Sequence, residues 1–273
     1  MSNETFVNYW IGQEPTTTSP RLDQMPAYVD VVPLAFVGID SDWQLDFGFL
    51  CTHNSPEVIQ GWIKTVRANG AKVLFSILDE KLAEVPDPTA FAQNVARSAV
   101  EWGVDGVDLD YEGGNFNPNQ TLLDVAQALR TELASALDAA PYLSAPIWSP
   151  WTEYPDVLKA FAAELDLVTT MDYTPWVGVS STEQLFGQYA QIIGSPEKIA
   201  IGLSCMGPPD SGNFTPLGDV ETLAAWEPQG GTKGGAMLYT FSYDVKTRPV
   251  GSGTSGTGYP DCTWTKTIEQ YLP

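Results

Sequence analysis

The run Asp105-Gly106-Val107-Asp108-Leu109-Asp110-Tyr111-Glu112 sets a carboxylate at every second position of its latter half. On an extended strand, residues two apart share a face. Asp108, Asp110 and Glu112 therefore point one way, and Val107, Leu109 and Tyr111 the other, toward an apolar layer behind the sheet. Carboxylates this close cannot all ionise independently, so the row is expected to share protons and to hold at least one pKa well above the ordinary carboxylate value. Such a row is costly unless it works, and the work it suits is acid–base chemistry. A solvated acidic edge strand or a calcium loop fits less well. A calcium loop places its acids on a glycine-turned loop with a bidentate acid at its end, whereas here apolar residues alternate strictly with the acids.

Asp-Gly-x-Asp-x-Asp-x-Glu resembles the signature of glycoside hydrolase family 18, the chitinases and endo-β-N-acetylglucosaminidases. All four acidic positions are present as Asp105, Asp108, Asp110 and Glu112. The resemblance implies that Glu112 is the general acid and then the base, that Asp110 holds and polarises the substrate's N-acetyl group, and that Asp108 supports Asp110 by sharing a proton. It also implies a substrate-assisted reaction, in which the sugar's own acetamido oxygen replaces an enzyme nucleophile. The developing positive charge is then stabilised electrostatically by the neighbouring carboxylate. The two aspartates are expected to raise the pKa of Glu112 so that it can serve as an acid. The substrate should carry a 2-acetamido group on the non-reducing side of the cleaved bond.

The elements that must position these residues read as a single (β/α)8 TIM barrel, an α/β fold spanning residues 1–273 as one catalytic domain. Strand-like runs fall at residues 5–11, 29–37, 72–78, 106–111, 142–147, 167–171, 198–204 and 235–241. Helical periodicity is clearest at residues 56–68, 88–102, 120–137 and 182–193. Asp87-Pro88 suits an N-cap followed by proline at the first helical position, and Asn69-Gly70 and Gly103 suit helix ends. The acidic run then lies on the fourth strand, with Glu112 at the C-terminal end where barrel active sites are built.

Further candidates come from the other strand ends. Met171-Asp172-Tyr173 resembles the family's Met-x-Tyr element, which makes Tyr173 the group that aligns the acetamido oxygen, with Met171 and Asp172 beside it. With Tyr173 inward, Asp172 points outward unless the strand end bulges. Tyr239 occupies the position where chitinases of this family carry a tryptophan under the cleaved sugar, and it offers a smaller flat face. The family's third strand usually ends Ser-x-Gly-Gly, whereas Ser76 is followed here by Ile77-Leu78-Asp79. Trp10, Trp148, Trp151 and Trp176 near strand ends are candidates for stacking on an extended glycan. Trp62 and Trp102 sit in helical patterns and read as core.

Composition narrows the rest. The chain has 273 residues, 43% of them hydrophobic, and a formal charge of −21. That acidity excludes the basic footprint of a nucleic-acid binder and disfavours anionic membranes and polysaccharides as partners. No apolar run approaches a membrane span. Cys51, Cys205 and Cys262 allow at most one bridge, and with a lone His53 they offer no metal-ligand spacing, so no metal or cofactor is expected. The start Met1-Ser2-Asn3-Glu4 lacks a signal segment; a secreted chain without its leader is favoured over a cytoplasmic one, and a monomer over an oligomer. The Gly- and Pro-rich stretch at residues 206–222 reads as a specificity loop. Three functions compete: a chitinase, placed first; an endo-β-N-acetylglucosaminidase cutting the chitobiose core of N-glycans; and an inactive barrel lectin or inhibitor, placed last because Glu112 is retained.

Overall fold

The computed structural model describes residues 4–113, 118–148, 152–173, 178–206, 214–250 and 253–273. Eight parallel strands close into a barrel: β1 Thr5–Asn8, continued by Trp10–Ile11, then β2 Val31–Ile39, β3 Lys72–Leu78, β4 Gly106–Asp110, β5 Tyr142–Ile147, β6 Leu167–Thr170, β7 Ile199–Ser204 and β8 Gly235–Tyr239. Closure is made by β1, which pairs with β8 through Thr5↔Gly235 to Asn8↔Leu238 and with β2 at Val7↔Val31. Gly106 is needed where β4 enters the sheet, because a Cβ there would lie 1.9 Å from the Tyr142 carbonyl oxygen of β5.

Helices follow seven of the strands among the described residues: α1 Pro56–Ala68, α2 Pro88–Trp102, α3 Gln120–Ala136, α4 Pro155–Glu164, α5 Val179–Ile193, α6 Leu217–Ala225 and α7 Thr263–Tyr271. Their starts follow the sequence chemistry. The Asp87 side chain accepts from Ala90 N at 3.0 Å and the Asn119 side chain accepts from Leu122 N at 3.0 Å, satisfying donors that a helix's first turn leaves open. Gly103 closes α2 in the left-handed conformation with φ 70°. The β1–β2 connection departs from the pattern, with only a 3-10 turn at Leu22–Gln24 in place of a helix.

Strand alternation separates two cores. Outward residues such as Val107 and Leu109 join helix residues such as Phe91, Val95 and Leu129 in one large cluster. Inward residues, among them Val7, Tyr9, Ala35, Leu74 and Met237, fill the barrel. At its N-terminal end, beside the β1–β8 seam, Lys233 Nζ lies 2.7 Å from Glu4 Oε2, with both side chains buried. Burial raises the Glu4 pKa to about 7, opposed by Lys233 and assisted by Glu227.

Candidate active site

The acidic row is held by strand register. Asp108 is the in-register neighbour of Ser76 on β3 and of Ser144 on β5, and neighbours in a parallel sheet point to the same side. All three therefore face the barrel interior. Ser76 Oγ donates to Asp108 Oδ2 at 2.8 Å, Ser144 Oγ donates to Oδ1 at 2.6 Å, and Tyr9 Oη reaches in from β1 to donate to Oδ2 at 2.8 Å. Asp108 is fully buried. A buried carboxylate with three hydroxyl donors is a satisfied group rather than a stray charge.

Asp110 sits one layer higher and is 3% exposed, and its Oδ1 has no hydrogen-bond partner among the described residues. Burial raises the Asp108 pKa, while Ser144, Tyr9 and Ser76 pull it back. Burial raises Asp110 well above the carboxylate range, and the charges of Asp108 and Glu112 add to the rise. Of the two buried aspartates, Asp110 has the anion with the less support. Glu112 is exposed to the cavity and its pKa is raised by desolvation. The sequence reading assigned that rise to the two aspartates; like-charge repulsion instead falls on Asp110.

Above this row the strand ends enclose a cavity of about 440 Å³, lined by Asp110 and Glu112 and by the rings of Tyr9, Phe36, Trp148, Tyr173 and Tyr239, with Leu78, Met171 and Met206 among its aliphatic walls. Tyr239 is the centre of an aromatic floor. Its ring stacks on Tyr173 with centroids 6.4 Å apart and planes 4° from parallel, stacks on Phe36 at 6.3 Å, and meets the edge of Tyr9 at 5.7 Å. Burial raises Tyr173 well above its ordinary pKa, so it stays a hydroxyl donor. A flat apolar floor, two carboxyls and phenol donors on one side make a site for a sugar ring and for proton transfer to its substituents. Among the described residues no group of histidine, cysteine and acidic side chains could hold a metal ion.

A family model described as Glycosyl hydrolases family 18 matches residues 5–248. The chain belongs to glycosyl hydrolase family 18. This glycoside hydrolase is similar to a family 18 chitinase from Pseudoalteromonas aurantia, at 20% identity and TM-score 0.72, covering 98% of this chain and 100% of that one. It is also similar to a mutant endo-β-N-acetylglucosaminidase from Cordyceps militaris in complex with fucosyl-N-acetylglucosamine-Asn, at 18% identity and TM-score 0.70, covering 100% and 92%. A mutant plant class V chitinase from Cycas revoluta in complex with (GlcNAc)3 matches at 15% identity and TM-score 0.76, covering 98% and 100%. At such identities the likeness speaks to the fold alone, the α/β TIM barrel.

Within the family 18 barrel, Asp110, Glu112, Met171, Tyr173, Trp148 and Tyr239 gather at the cavity, with Asp108 beneath them. Two expectations are corrected. Trp10 is 1% exposed, with its indole N–H donating to Pro20 O at 3.0 Å and its ring edge-on to Trp62. Alternation explains this: Val7, Tyr9 and Ile11 point inward, so Trp10 points out into the helix layer. Asp172 likewise points outward and accepts from Tyr189 Oη of α5 at 3.2 Å; no bulge turns it into the cavity. Trp151 and Trp176 lie outside the described residues. Tyr9, Ser76 and Ser144 were not anticipated as partners of Asp108, although the same alternation and the strand register could have found them. The stretch at residues 206–222 is not all loop, since α6 begins at Leu217. At the end of β3, Asp79 takes the turn, accepting from Ile39 N and Lys81 N, which leaves Leu78 on the cavity wall.

Proposed function

We propose that this family 18 glycoside hydrolase is an endo-acting enzyme that cleaves β-1,4 bonds on the reducing side of N-acetylglucosamine with retention, through an oxazolinium intermediate. One observation carries the reading. The carboxyls lining the described cavity are Asp110 and Glu112, and both project from the end of one strand. A retaining enzyme with its own nucleophile sets two carboxyls about 5–5.5 Å apart on opposite sides of the anomeric carbon. Two acids on one strand edge cannot straddle the bond, so the nucleophile is supplied by the substrate's acetamido oxygen.

In this scheme Glu112 gives its proton to the glycosidic oxygen as the C1–O bond breaks and the acetamido oxygen bonds to C1. Asp110, backed by Asp108, holds the acetamido N–H and stabilises the cation; Tyr173 donates to the acetamido oxygen; Tyr239 carries the sugar face. Water then attacks C1 as the bond from C1 to the acetamido oxygen breaks, which regenerates the acetamide, and Glu112 takes the proton that the water loses. Chitin and its oligomers are the first substrate reading. The chitobiose core of N-glycans is the second, favoured by a tyrosine rather than a tryptophan floor and by Leu78-Asp79 where the family usually has Gly-Gly.

Mass spectrometry after digestion of chitohexaose and of a high-mannose glycopeptide, with the Glu112→Gln protein as control, tests this. Shortened chitin oligomers alone support the first reading, and a peptide retaining a single N-acetylglucosamine supports the second. Binding without cleavage of either glycan overturns the enzymatic proposal and favours a carbohydrate-binding barrel.

A further inference from the structure

Tyr173 stands past the end of its strand. β6 stops at Thr170, and Met171 N donates to Ile147 O of β5 at 2.7 Å as the chain leaves the sheet. Asp172 and Tyr173 then part company: Tyr173 lines the catalytic cavity, and the carboxyl of Asp172 turns toward α5. A void of about 20 Å³ lies behind this turn, bordered by Asp172 and Tyr173, by Thr182 of α5, by Gly202 of β7 and by Thr215 ahead of α6. That is room for about one water. Tyr173 borders both spaces and so forms a wall between the catalytic cavity and the void. Atoms that face a gap lose the contacts close packing would supply. On this side the turn therefore depends on polar ties.

Tyr189 of α5 supplies one. Its side chain is fully buried on the inner face of the helix, and its hydroxyl donates to Asp172 Oδ1 at 3.2 Å. Burial raises Tyr189 well above its ordinary pKa, and the Asp172 charge adds to the rise, so the phenol stays a donor. Asp172 is 6% exposed, and its Oδ2 has no hydrogen-bond partner among the described residues. A buried carboxyl left half paired is costly, and one that faces away from the cavity cannot act on the substrate directly. We propose that Asp172 is a positioning residue: tied to Tyr189, it fixes the turn so that α5 sets where the Tyr173 hydroxyl meets the acetamido oxygen. The proposal rests on the glycosidase reading above and adds to it the brace that the role of Tyr173 requires.

Tyr189→Phe keeps the ring and removes the donor, Asp172→Ala removes the acceptor, and Asp172→Asn keeps an oxygen for Tyr189. Steady-state kinetics use whichever of chitohexaose and the high-mannose glycopeptide the parent cleaves. Because a misplacement of about 1 Å can cost about a hundredfold in rate, kcat is expected to fall about tenfold in Tyr189→Phe and in Asp172→Ala, with little change in KM, and to recover most of that loss in Asp172→Asn. In a Tyr173→Phe background, Tyr189→Phe should cost less than about twofold more, since the group it aims is gone. The same tenfold loss in both backgrounds, or parent-like kcat in Tyr189→Phe, overturns the proposal. Thermal unfolding shows which variants are folded, and if Asp172→Ala is not, the Tyr189→Phe cycle decides alone. If the parent cleaves neither glycan, the glycosidase reading fails separately. Fluorine NMR of fluorotyrosine-labelled protein then still decides the brace, with the Tyr173 signal assigned by its absence from Tyr173→Phe. A Tyr173 signal that moves in Tyr189→Phe and stays near its parent position in Asp172→Asn upholds the brace, and one that does not move in Tyr189→Phe overturns it.

Discussion

At the residue scale, function turns on which of three neighbouring acids holds which proton. Asp108 is tied down by three hydroxyls, Asp110 is buried with an oxygen unpaired, and Glu112 opens on the cavity. Replacing Glu112 with Gln keeps the shape and removes the transferable proton, so kcat is expected to fall by roughly 10²–10⁴-fold while glycan affinity by calorimetry stays near that of the parent. Parent-like turnover in that variant would take the acid role away from Glu112. Asp110→Asn removes the carboxyl proposed to hold the acetamido group and balance the cation. It is expected to slow oxazolinium formation from intact glycan more than turnover of a preformed sugar oxazoline, measured as the ratio of the two rates. An equal loss on both substrates would argue that Asp110 acts only in folding or binding. The placement of the acids and Tyr173 at one strand-end cavity was legible because each lies in a dense motif. Tyr9 was not, because its role depends on a strand almost a hundred positions away, and nothing local in Tyr9-Trp10 marks the smaller ring as the inward one except parity.

At the scale of elements, strand register carries the site. Ser144 reaches Asp108 only because β5 pairs with β4 at that level, so Ser144→Ala deletes a donor to the ion without moving a strand. Losing a hydrogen bond to a charged group costs about 1.5–3 kcal/mol. The variant should therefore show kcat reduced by about tenfold or more, little change in KM, and a displaced pH–rate profile; a change in KM alone would point to distorted packing instead. The outward face offers a separate test. Burial raises Asp172 to about 7 beneath α5, so the folded state holds a proton that the unfolded chain releases near pH 4. The stabilising effect of that proton is fully present below the unfolded pKa and is lost as pH rises toward 7. Asp172→Asn should remove this slope, so that in urea unfolding its stability advantage over the parent grows between about pH 4 and about pH 8, by up to about 4 kcal/mol. A constant difference across that range would show that Asp172 does not titrate there. Helices with strong end chemistry, α1 and α2 with proline at their starts and α2 with a left-handed glycine at its end, matched the sequence reading. The nine-residue α6 and α7 did not announce themselves. Neither has a side-chain cap, and both are fixed by burying Val220, Leu223, Trp264 and Ile268 against the barrel, information that short periodicity does not hold.

At the scale of the whole molecule, the two ends of the barrel divide labour: the C-terminal end carries the acids and the aromatic-lined cavity, and the N-terminal end holds Lys233 between Glu4 and Glu227. Lys233→Met alone strands buried acid and is expected to destabilise by about 3–5 kcal/mol, with Lys233→Met/Glu4→Gln recovering much of it. Thermal unfolding checks this, and kcat of the surviving folded protein should match the parent because the pair lies at the far end from the cavity. The same seam bears on how the protein comes into being. Thr5 pairs with Gly235 and Tyr239 lines the cavity, so β1 must wait for β8 before either the sheet or the cavity is finished. A nascent chain holding β1 to β7 has an open sheet edge on each side and lacks the Tyr239 floor of the cavity. Contacts of such long sequence separation form late and slowly. Emergence of β8 from the ribosome is then the event that turns an aggregation-prone open sheet into a closed barrel, and catalytic competence reports that closure.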